Sequence, residues 1–295
     1  MSAEHRRSRR HIVKAAAGSV LGLAAGLGSR GVLAQSRSRS QVFVLLRGGA
    51  DGLSLIVPHA DPAYYRARPR TAIAPPGSAA ACALDLDGQL GMHPQLASLS
   101  PLYRQGELGI VVAAGLSAAP RLHRDAQRAL EQSLAELAGE PLETQAPSAP
   151  LSLQFELVAR AIRAEWACSP FLVSSEGWDT HAAQGTASRG YLAARLDELS
   201  RALLEFRGQL AAKFEQTQIV VLSEFGRSVD ETPMGGTDDG RASVALVLGN
   251  TPFAGRISGR WPSLEREALV AGRHLPIATD LTQLVRELST TGGPS

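Results

Sequence analysis

The chain has 295 residues, of which 44% are hydrophobic and 20% charged, so it can bury a sizeable core and is not wholly disordered. Its formal net charge is +2, but residues 1–34 carry six basic side chains against Glu4 alone, and the remainder has 24 basic and 27 acidic residues. Neither this mildly acidic remainder nor an aromatic content of 5% favours a nucleic-acid partner. Two cysteines exclude a disulfide-rich scaffold and a cysteine-based zinc module.

The first 34 residues have the pattern of an export signal. Residues 8–14 (SRRHIVK) match the core of a twin-arginine signal, and the apolar residues 15–27 are too few for a convincing membrane span. Residues 32–34 (VLA) offer a peptidase site; a basic, disordered N-terminus is the alternative. We therefore expect a periplasmic or secreted bacterial protein without a membrane span in its mature chain, whose partner during export is the twin-arginine translocase.

Five continuous apolar runs predict buried strands, and amphipathic segments between them predict helices. The strands are expected at residues 41–46, 108–113, 171–174, 218–222 and 243–248. The helices are expected at residues 94–103, 124–137, 154–166, 191–214 and 281–288. This alternation predicts an α/β fold with a mostly parallel central sheet and helices on both faces. We expect one domain over residues 35–295, with a proline-rich linker at 138–152.

Acidic residues and a histidine follow several of the predicted strands. In parallel sheets, functional groups collect at the edge where strands end. Carboxylates gathered at one edge repel each other, so a cation is their natural neutraliser. Hard oxygen ligands with one imidazole suit Mg²⁺, Mn²⁺, Ca²⁺ or Zn²⁺. The predicted ligands of this divalent metal site are Asp51, Asp179, His181, Glu224, Asp238 and Asp239.

Each of these residues also has a simpler structural interpretation. Asp51 is placed to cap a helix that begins at Gly52. Asp179 fits a surface turn closed by its own side chain. Glu224 and Arg227 are three residues apart, so a helix start would make them a salt bridge. Residues 238–240 are, taken alone, a glycine-containing turn.

Two further features remain open from the residues alone. His123 lies among charged residues before a helix and is a weak catalytic candidate; its surroundings equally suit a solvated basic turn or a crown for an anion. Cys82 and Cys168 are able to pair in an oxidising compartment, or to stay as two unpaired buried thiols.

Five segments in this order resemble a bacterial family known as domain of unknown function 1501. They are residues 45–53 (LLRGGADGL), 177–181 (GWDTH), 222–227 (LSEFGR), 235–240 (GGTDDG) and 259–262 (GRWP). The resemblance covers residues 41–136 and 153–290. It implies export by the twin-arginine route and an alkaline-phosphatase-like fold, because the family is grouped with the superfamily of alkaline phosphatases, sulfatases and phosphomutases.

The resemblance also implies an activity and a site. Such enzymes hold two metal ions at the carboxyl edge of the sheet and cleave phosphate or sulfate esters with a Ser, Thr or modified Cys nucleophile. By resemblance, Asp51, Asp179, His181, Glu224 and Asp238 are metal ligands. Arg227 would then orient Glu224 or face an oxygen of an anionic small-molecule ester.

The chain departs from the family pattern at two positions. Leu122 stands where members have a serine before histidine, and Asp239 stands where they have a histidine. The first hypothesis is therefore an exported metal-dependent hydrolase that uses a metal-bound hydroxide or another nucleophile, such as Ser117. The alternative is a non-catalytic exported relative with a binding or assembly role. A third and weaker idea is a structural secreted protein whose acids are surface charges.

Overall fold

The computed structural model describes residues 39–117, 149–165 and 170–290, together with positions 132 and 135. No helix in that part of the chain is long and apolar enough to cross a membrane. Several expectations from the sequence fall outside the described residues and stay predictions. They are the export signal (1–34), most of the helix at 124–137, most of the linker (138–152), and the residues Leu122, His123 and Cys168.

The five predicted strands are present in the predicted order, with the predicted helices that fall in the described residues, and they are joined by short strands and helices that were not predicted. The strands are β1 Ser40–Leu46, β2 Ile56–Val57, β3 Leu84–Asp85, β4 Gly91–Met92, β5 Leu108–Gly115, β6 Phe171–Ser175, β7 Thr217–Ser223, β8 Arg227–Glu231, β9 Thr237–Asp239, β10 Ser243–Leu248, β11 Ile257–Ser258 and β12 Thr279–Asp280. The α-helices are α1 Gly52–Leu55, α2 Pro62–Ala67, α3 Ser100–Arg104, α4 Leu151–Arg163, α5 Tyr191–Leu210 and α6 Leu281–Thr290. Short 3-10 helices span Pro94–Leu99, Ala211–Gln216 and Arg266–Ala268.

The central sheet has the strand order β11-β5-β10-β7-β1-β6, and β12 also pairs with β5. Strand β1 is parallel to β6 and β7, and β5 is parallel to β11 and β12. Strand β10 is antiparallel to both of its neighbours, β5 and β7. The α/β prediction is confirmed, but the sheet is mixed. A continuous apolar run reports burial on both faces of a strand and says nothing about its direction.

The reversed direction of β10 decides where the loop before it lies. Antiparallel pairing sets Leu246 opposite Val221 and Ser243 opposite Ala114, so β10 begins where β5 and β7 end. The hairpin of β8 and β9 fills the connection from β7 to β10, with Arg227 paired to Asp239. Residues 237–240 thus reach the edge at which β1, β6 and β7 end, which we call the carboxyl edge. A β10 parallel to β7 would have placed that loop at the opposite edge.

Helices cover both faces of the sheet, as predicted. On one face, alternate residues of β1 such as Val44 belong to one hydrophobic cluster with residues of α4 and α5, whose Phe155 and Phe206 rings stack with centroids 4.5 Å apart. On the other face, Phe43 and Leu45 of β1 belong to a second cluster that includes Leu284 of α6. The core residues of β1 are almost fully buried, which anchors the turn that follows this strand.

Candidate functional site

The turn after β1 leads into a buried ion pair between Asp51 and Arg68. Arg68 Nη1 and Nη2 donate to the two oxygens of Asp51 at 2.6 and 2.9 Å, and both side chains are fully buried. Ser54 Oγ and Gln184 Nε2 donate to the same carboxylate at 2.6 and 2.8 Å. The Asp51 carboxylate therefore accepts four hydrogen bonds inside the protein.

The guanidinium of Arg68 also has hydrogen-bond acceptors beyond Asp51. Its Nε donates to Val229 O at 2.9 Å and its Nη2 to Ser228 O at 2.8 Å, which ties the pair to β8. Burial works to raise the pKa of Asp51, but the charge and hydrogen bonds of Arg68 outweigh it and hold that pKa below its usual value. Asp51 is thus an ionised carboxylate neutralised by a neighbouring arginine.

A second cluster is built around Arg227, whose side chain is fully buried at the carboxyl edge. Its Nε donates to Gly49 O at 2.7 Å and its Nη2 donates to Gly48 O, both in the turn after β1. Its Nη1 donates to Thr237 O in β9 at 3.2 Å. The guanidinium carbon lies 5.7 Å from the centre of the Phe225 ring, within cation–π range. One guanidinium thereby holds the turn after β1 against β9.

Three polar side chains surround the same guanidinium; we call Asp179, His181 and Asp239 the acid–histidine cluster. Arg227 Nη2 lies 3.1 Å from Asp179 Oδ1, and its Nη1 lies 3.2 Å from Asp239 Oδ1 and 3.0 Å from His181 Nδ1. His181 Nδ1 also contacts Asp179 Oδ1, and its Nε2 lies 3.4 Å from Asp239 Oδ1. The imidazole is therefore placed between two carboxylates.

The members of this cluster differ in solvent exposure and in whether their polar atoms have hydrogen-bond partners. The side chains of Asp179 and His181 are 62% and 46% exposed, whereas Asp239 is 25% exposed. Burial works to raise the pKa of Asp179, but bonds from His181 and the charge of Arg227 hold it below its usual value. Asp239 Oδ1 is buried and accepts no hydrogen bond, so its contact with Arg227 is an ion pair only.

The other two predicted ligands have their own arginines. Glu224 is buried at the end of β7, where its Oε2 accepts from Gly48 N at 3.1 Å and its Oε1 from Arg47 Nη1 at 3.3 Å. Asp238 Oδ2 accepts from Arg273 Nη2 at 2.5 Å. Since Asp238 and Asp239 are adjacent in a strand, their side chains point to opposite faces, and only Asp239 contacts Arg227.

The structure thus brings together part of the predicted ligand set. Asp179, His181 and Asp239 meet around Arg227, and Glu224 is joined to them through Gly48, whereas Asp51 and Asp238 are held by Arg68 and Arg273. Within residues 39–117, 149–165 and 170–290, no group of three or more His, Cys, Asp or Glu side chains stands in a geometry that could hold a metal ion. As arranged, these residues do not fit a divalent cation, and metal binding stays a prediction.

The simpler structural interpretations of Asp51, Asp179 and Glu224 are found only in part. Asp51 occupies the N-cap position of α1, but its side chain makes no capping bond. Asp179 closes a turn by accepting from His181 N at 3.1 Å. Arg227 contacts the carboxylates of Asp179 and Asp239, and the arginine paired with Glu224 is Arg47.

Ser117, the alternative nucleophile, is engaged elsewhere. Its backbone N–H donates to Asp280 Oδ2 at 3.0 Å, and its hydroxyl also bonds to that carboxylate. Asp280 Oδ1 in turn accepts from Thr282 N at 2.9 Å at the start of α6. These bonds assign Asp280 a structural role in fixing the end of β5.

Four site residues were missed by sequence reasoning: Arg47, Arg68, Gln184 and Arg273. Three are arginines, and Arg68 lies among three arginines within residues 66–70, where sequence spacing does not single out the one that turns inward. Arg68 lies 17 residues from Asp51 and Gln184 lies 133 residues from it, so no local pattern connects them. The detectable signal was only that Arg47 falls inside residues 45–53 (LLRGGADGL), one of the five segments that resemble the family.

The fold and the site define an α/β protein with a mixed central sheet whose carboxyl edge carries acidic residues paired with arginines. The chain belongs to the family described as "Protein of unknown function (DUF1501)", which matches residues 125–289 and so more than half of the chain. This match confirms the family that the sequence resembles; residues 45–53, the first of the five segments, lie outside the matched range. No curated protein matches the chain.

Two solved structures show a weak similarity to this chain. Their titles are "Crystal structure of Ps i-CgsB in complex with k-i-k-neocarrahexaose" and "Crystal structure of Ps i-CgsB". Each is 12% identical, has a TM-score of 0.32, and is matched over 75% of this chain and 68% of its own.

Proposed function

We propose that this protein is an exported, non-hydrolytic member of its family that uses the arginine-held carboxyl edge for binding or assembly. The observation that carries the proposal is the hydrogen bonding of the Asp51 carboxylate. This residue stands where the family resemblance expects a metal ligand, yet all four of its hydrogen bonds come from Arg68, Ser54 and Gln184 inside the protein.

A hydrolase of the expected class needs this carboxylate for a cation. Recruiting Asp51 as a ligand would break its bonds to Arg68 and leave a guanidinium buried without a counter-charge. Removing one partner of a buried ion pair costs about 3–5 kcal/mol, so the native arrangement opposes that change. The buried pair therefore supports a structural role for the residue that the hydrolase hypothesis most requires.

Two other observations agree with a non-hydrolytic role. Leu122 and Asp239 replace the serine and the histidine that the family pattern shows at those positions. Ser117 is bound through its backbone and its hydroxyl to Asp280, which is occupied with the start of α6. Among the described residues, Ser117 therefore contacts Asp280 and makes no hydrogen bond to the acid–histidine cluster.

Turnover assays test this proposal directly. The purified protein and its Asp179→Ala variant are each assayed with aryl phosphate and aryl sulfate esters. Each assay is done once with a chelator and once with added Zn²⁺, Mg²⁺, Mn²⁺ or Ca²⁺. We expect the same background rate for both proteins under every condition. Turnover that chelator abolishes and that Asp179→Ala lacks would contradict the proposal.

That outcome would favour a second candidate, a metal-dependent hydrolase acting on a phosphate or sulfate ester. One observation speaks for it: Asp239 Oδ1 is a buried acceptor without a hydrogen bond, 3.4 Å from His181 Nε2. A buried oxygen without a hydrogen bond keeps lone pairs that can coordinate a cation, although the Arg227 guanidinium already lies 3.2 Å from it. The alkaline-phosphatase-like fold that the family resemblance implies is part of this second candidate.

Export has its own test. We propose that residues 1–34 direct the twin-arginine route, on the basis of the SRRHIVK core at residues 8–14. Replacing Arg9 and Arg10 together by lysine should leave the full-length chain in the cytoplasm, whereas the parent chain should appear in the periplasm at the length of residues 35–295. Unchanged export of the double variant would exclude this route.

A further inference from the structure

Arg227 lies where three separate loops of the carboxyl edge meet. It contacts Gly48 and Gly49 after β1, Asp179 after β6, and Thr237 in β9. Its guanidinium is fully buried, and its N–H groups have acceptors in all three segments. Joining loops that are remote in sequence through many short contacts is also what a structural metal ion does in other proteins.

The charged groups around Arg227 extend the comparison of this residue with a structural metal ion. Asp179 and Asp239 approach the guanidinium from two sides at 3.1 and 3.2 Å, with His181 between them. A positive charge beside two carboxylates that approach the same imidazole reduces their repulsion, most of all for Asp239, which is only 25% exposed. The guanidinium supplies it, and backbone carbonyls fix its orientation.

We infer that Arg227 takes the place of a divalent cation in this protein, so that the folded chain needs no metal at the acid–histidine cluster and acquires a cation site there only when the guanidinium is removed. The inference rests on the proposed function in so far as both treat the carboxyl edge as metal-free. Because this cation is covalently part of β8, a chelator has nothing to extract.

The native protein gives the first measurement. Full-length, dialysed protein is analysed for bound elements, and its Tm is measured in chelator and with Mn²⁺ or Zn²⁺. We expect no stoichiometric divalent metal and the same Tm in each condition. A stoichiometric metal that survives dialysis, or a Tm that falls in chelator, would overturn the inference.

Removal of the guanidinium gives the second measurement. In Arg227→Ala we expect the Tm to fall by roughly 10 °C. Millimolar methylguanidinium or Mn²⁺ should recover part of that loss, since each returns positive charge to the space between Asp179 and Asp239. The matched control is Arg201→Ala, which removes an exposed partner of Asp197 and should change Tm by less than about 2 °C, with no response to either cation.

A third variant covers the case in which Arg227→Ala does not fold. Arg227→Lys keeps the charge but has fewer donors for the carbonyls of Gly48, Gly49 and Thr237, so its Tm should lie below that of the native protein and rise with methylguanidinium. If neither variant responds to an added cation, the inference is wrong.

The outcomes separate this inference from the proposed function. A protein that binds metal but hydrolyses no ester contradicts the inference and leaves the non-hydrolytic role standing. A metal-free protein that turns over an ester contradicts the proposed function and leaves the role of Arg227 standing.

Discussion

The side-chain amide of Gln154 pairs with both backbone groups of Ser174. Its Nε2 donates to Ser174 O at 2.9 Å, and its Oε1 accepts from Ser174 N at 3.1 Å. Strand β6 is at the end of the strand order in the described sheet, so the amide occupies the position that a further strand would take. The same two bonds fasten α4 to the strand that leads to Asp179.

Loss of this amide should destabilise the protein. In Gln154→Leu the N–H and C=O of Ser174 lose their partner inside the protein, and we expect the free energy of unfolding to fall by about 2 kcal/mol. Urea unfolding followed by circular dichroism measures the change. The control is Gln283→Leu on the exposed side of α6, which should change the free energy by less than about 0.5 kcal/mol. Equal effects of the two changes would show that the Ser174 pairing contributes nothing.

The Asp51–Arg68 pair should show strong coupling. Asp51→Leu or Arg68→Met leaves one buried charge without its partner, and each should lower the free energy of unfolding by about 3–5 kcal/mol. The double variant removes both charges and should cost clearly less than the sum of the single changes. A double-mutant cycle from denaturant unfolding measures the coupling. Additive effects would mean that the two side chains do not act as a pair.

His93 should make stability depend on pH. Burial lowers the pKa of this histidine to about 4, although the nearby charge of Asp51 acts in the opposite direction. Its Nδ1 accepts from Gln95 N at 3.0 Å, which requires the neutral ring. In the unfolded chain a histidine has a pKa of about 6.5. Between pH 6.5 and 4 the folded state therefore binds fewer protons, and stability falls as the pH is lowered through this window.

The gap between the two pKa values corresponds to about 3 kcal/mol. In His93→Asn the side-chain oxygen can still accept from Gln95 N, but nothing titrates there. We expect the native protein to lose about that much more stability than His93→Asn when the pH falls from 7 to 4, and the two slopes to agree above pH 7. Parallel curves over the whole range would show that His93 is not buried in its neutral form.

A side chain at Gly49, in the turn after β1, should destabilise the protein. This residue has φ +82°, and an added Cβ would lie 2.1 Å from the ring of buried Phe225. Gly88 has nearly the same φ, +83°, but no atom within 4 Å of such a Cβ. Gly88→Ala should cost about 1 kcal/mol from backbone strain alone, and Gly49→Ala about 1–3 kcal/mol more. Thermal unfolding compares them; equal losses would show that Phe225 can move aside.

The main strands and helices were largely predictable, because burial requires apolar residues in continuous runs or at helical spacing. Strand β10 has its predicted bounds, and β1 begins one residue earlier than predicted. The helix predicted at 191–214 ends at Leu210, where Ala211 has φ +48° and a 3-10 helix follows to Gln216. Apolar spacing continues across that break, so the hydrophobic pattern alone did not reveal it.

The site was predictable only in part, because charge pairing is not local. Asp179 and His181 are two residues apart, and their contact follows from the turn that they form. The arginine that neutralises Asp51 could not be chosen, because Arg66, Arg68 and Arg70 follow one another in the same segment. Arg66 and Arg70 pair with Glu265 and Glu231, whereas Arg68 alone of the three is buried against Asp51.

By itself, the sequence determined the α/β class, the family, the order of the strands along the chain and the placement of Asp179, His181 and Glu224 at one edge of the sheet, whereas Asp239 reaches that edge only because β10 is antiparallel to its neighbours. Each of these follows from local burial patterns, from motif order or from residues next to strand ends. Only the tertiary structure decided that β10 runs backwards and that arginines, from segments far away in sequence, lie against the acidic residues. Strand direction and ion pairing depend on how distant segments pack, and in this chain no local spacing encodes either of them.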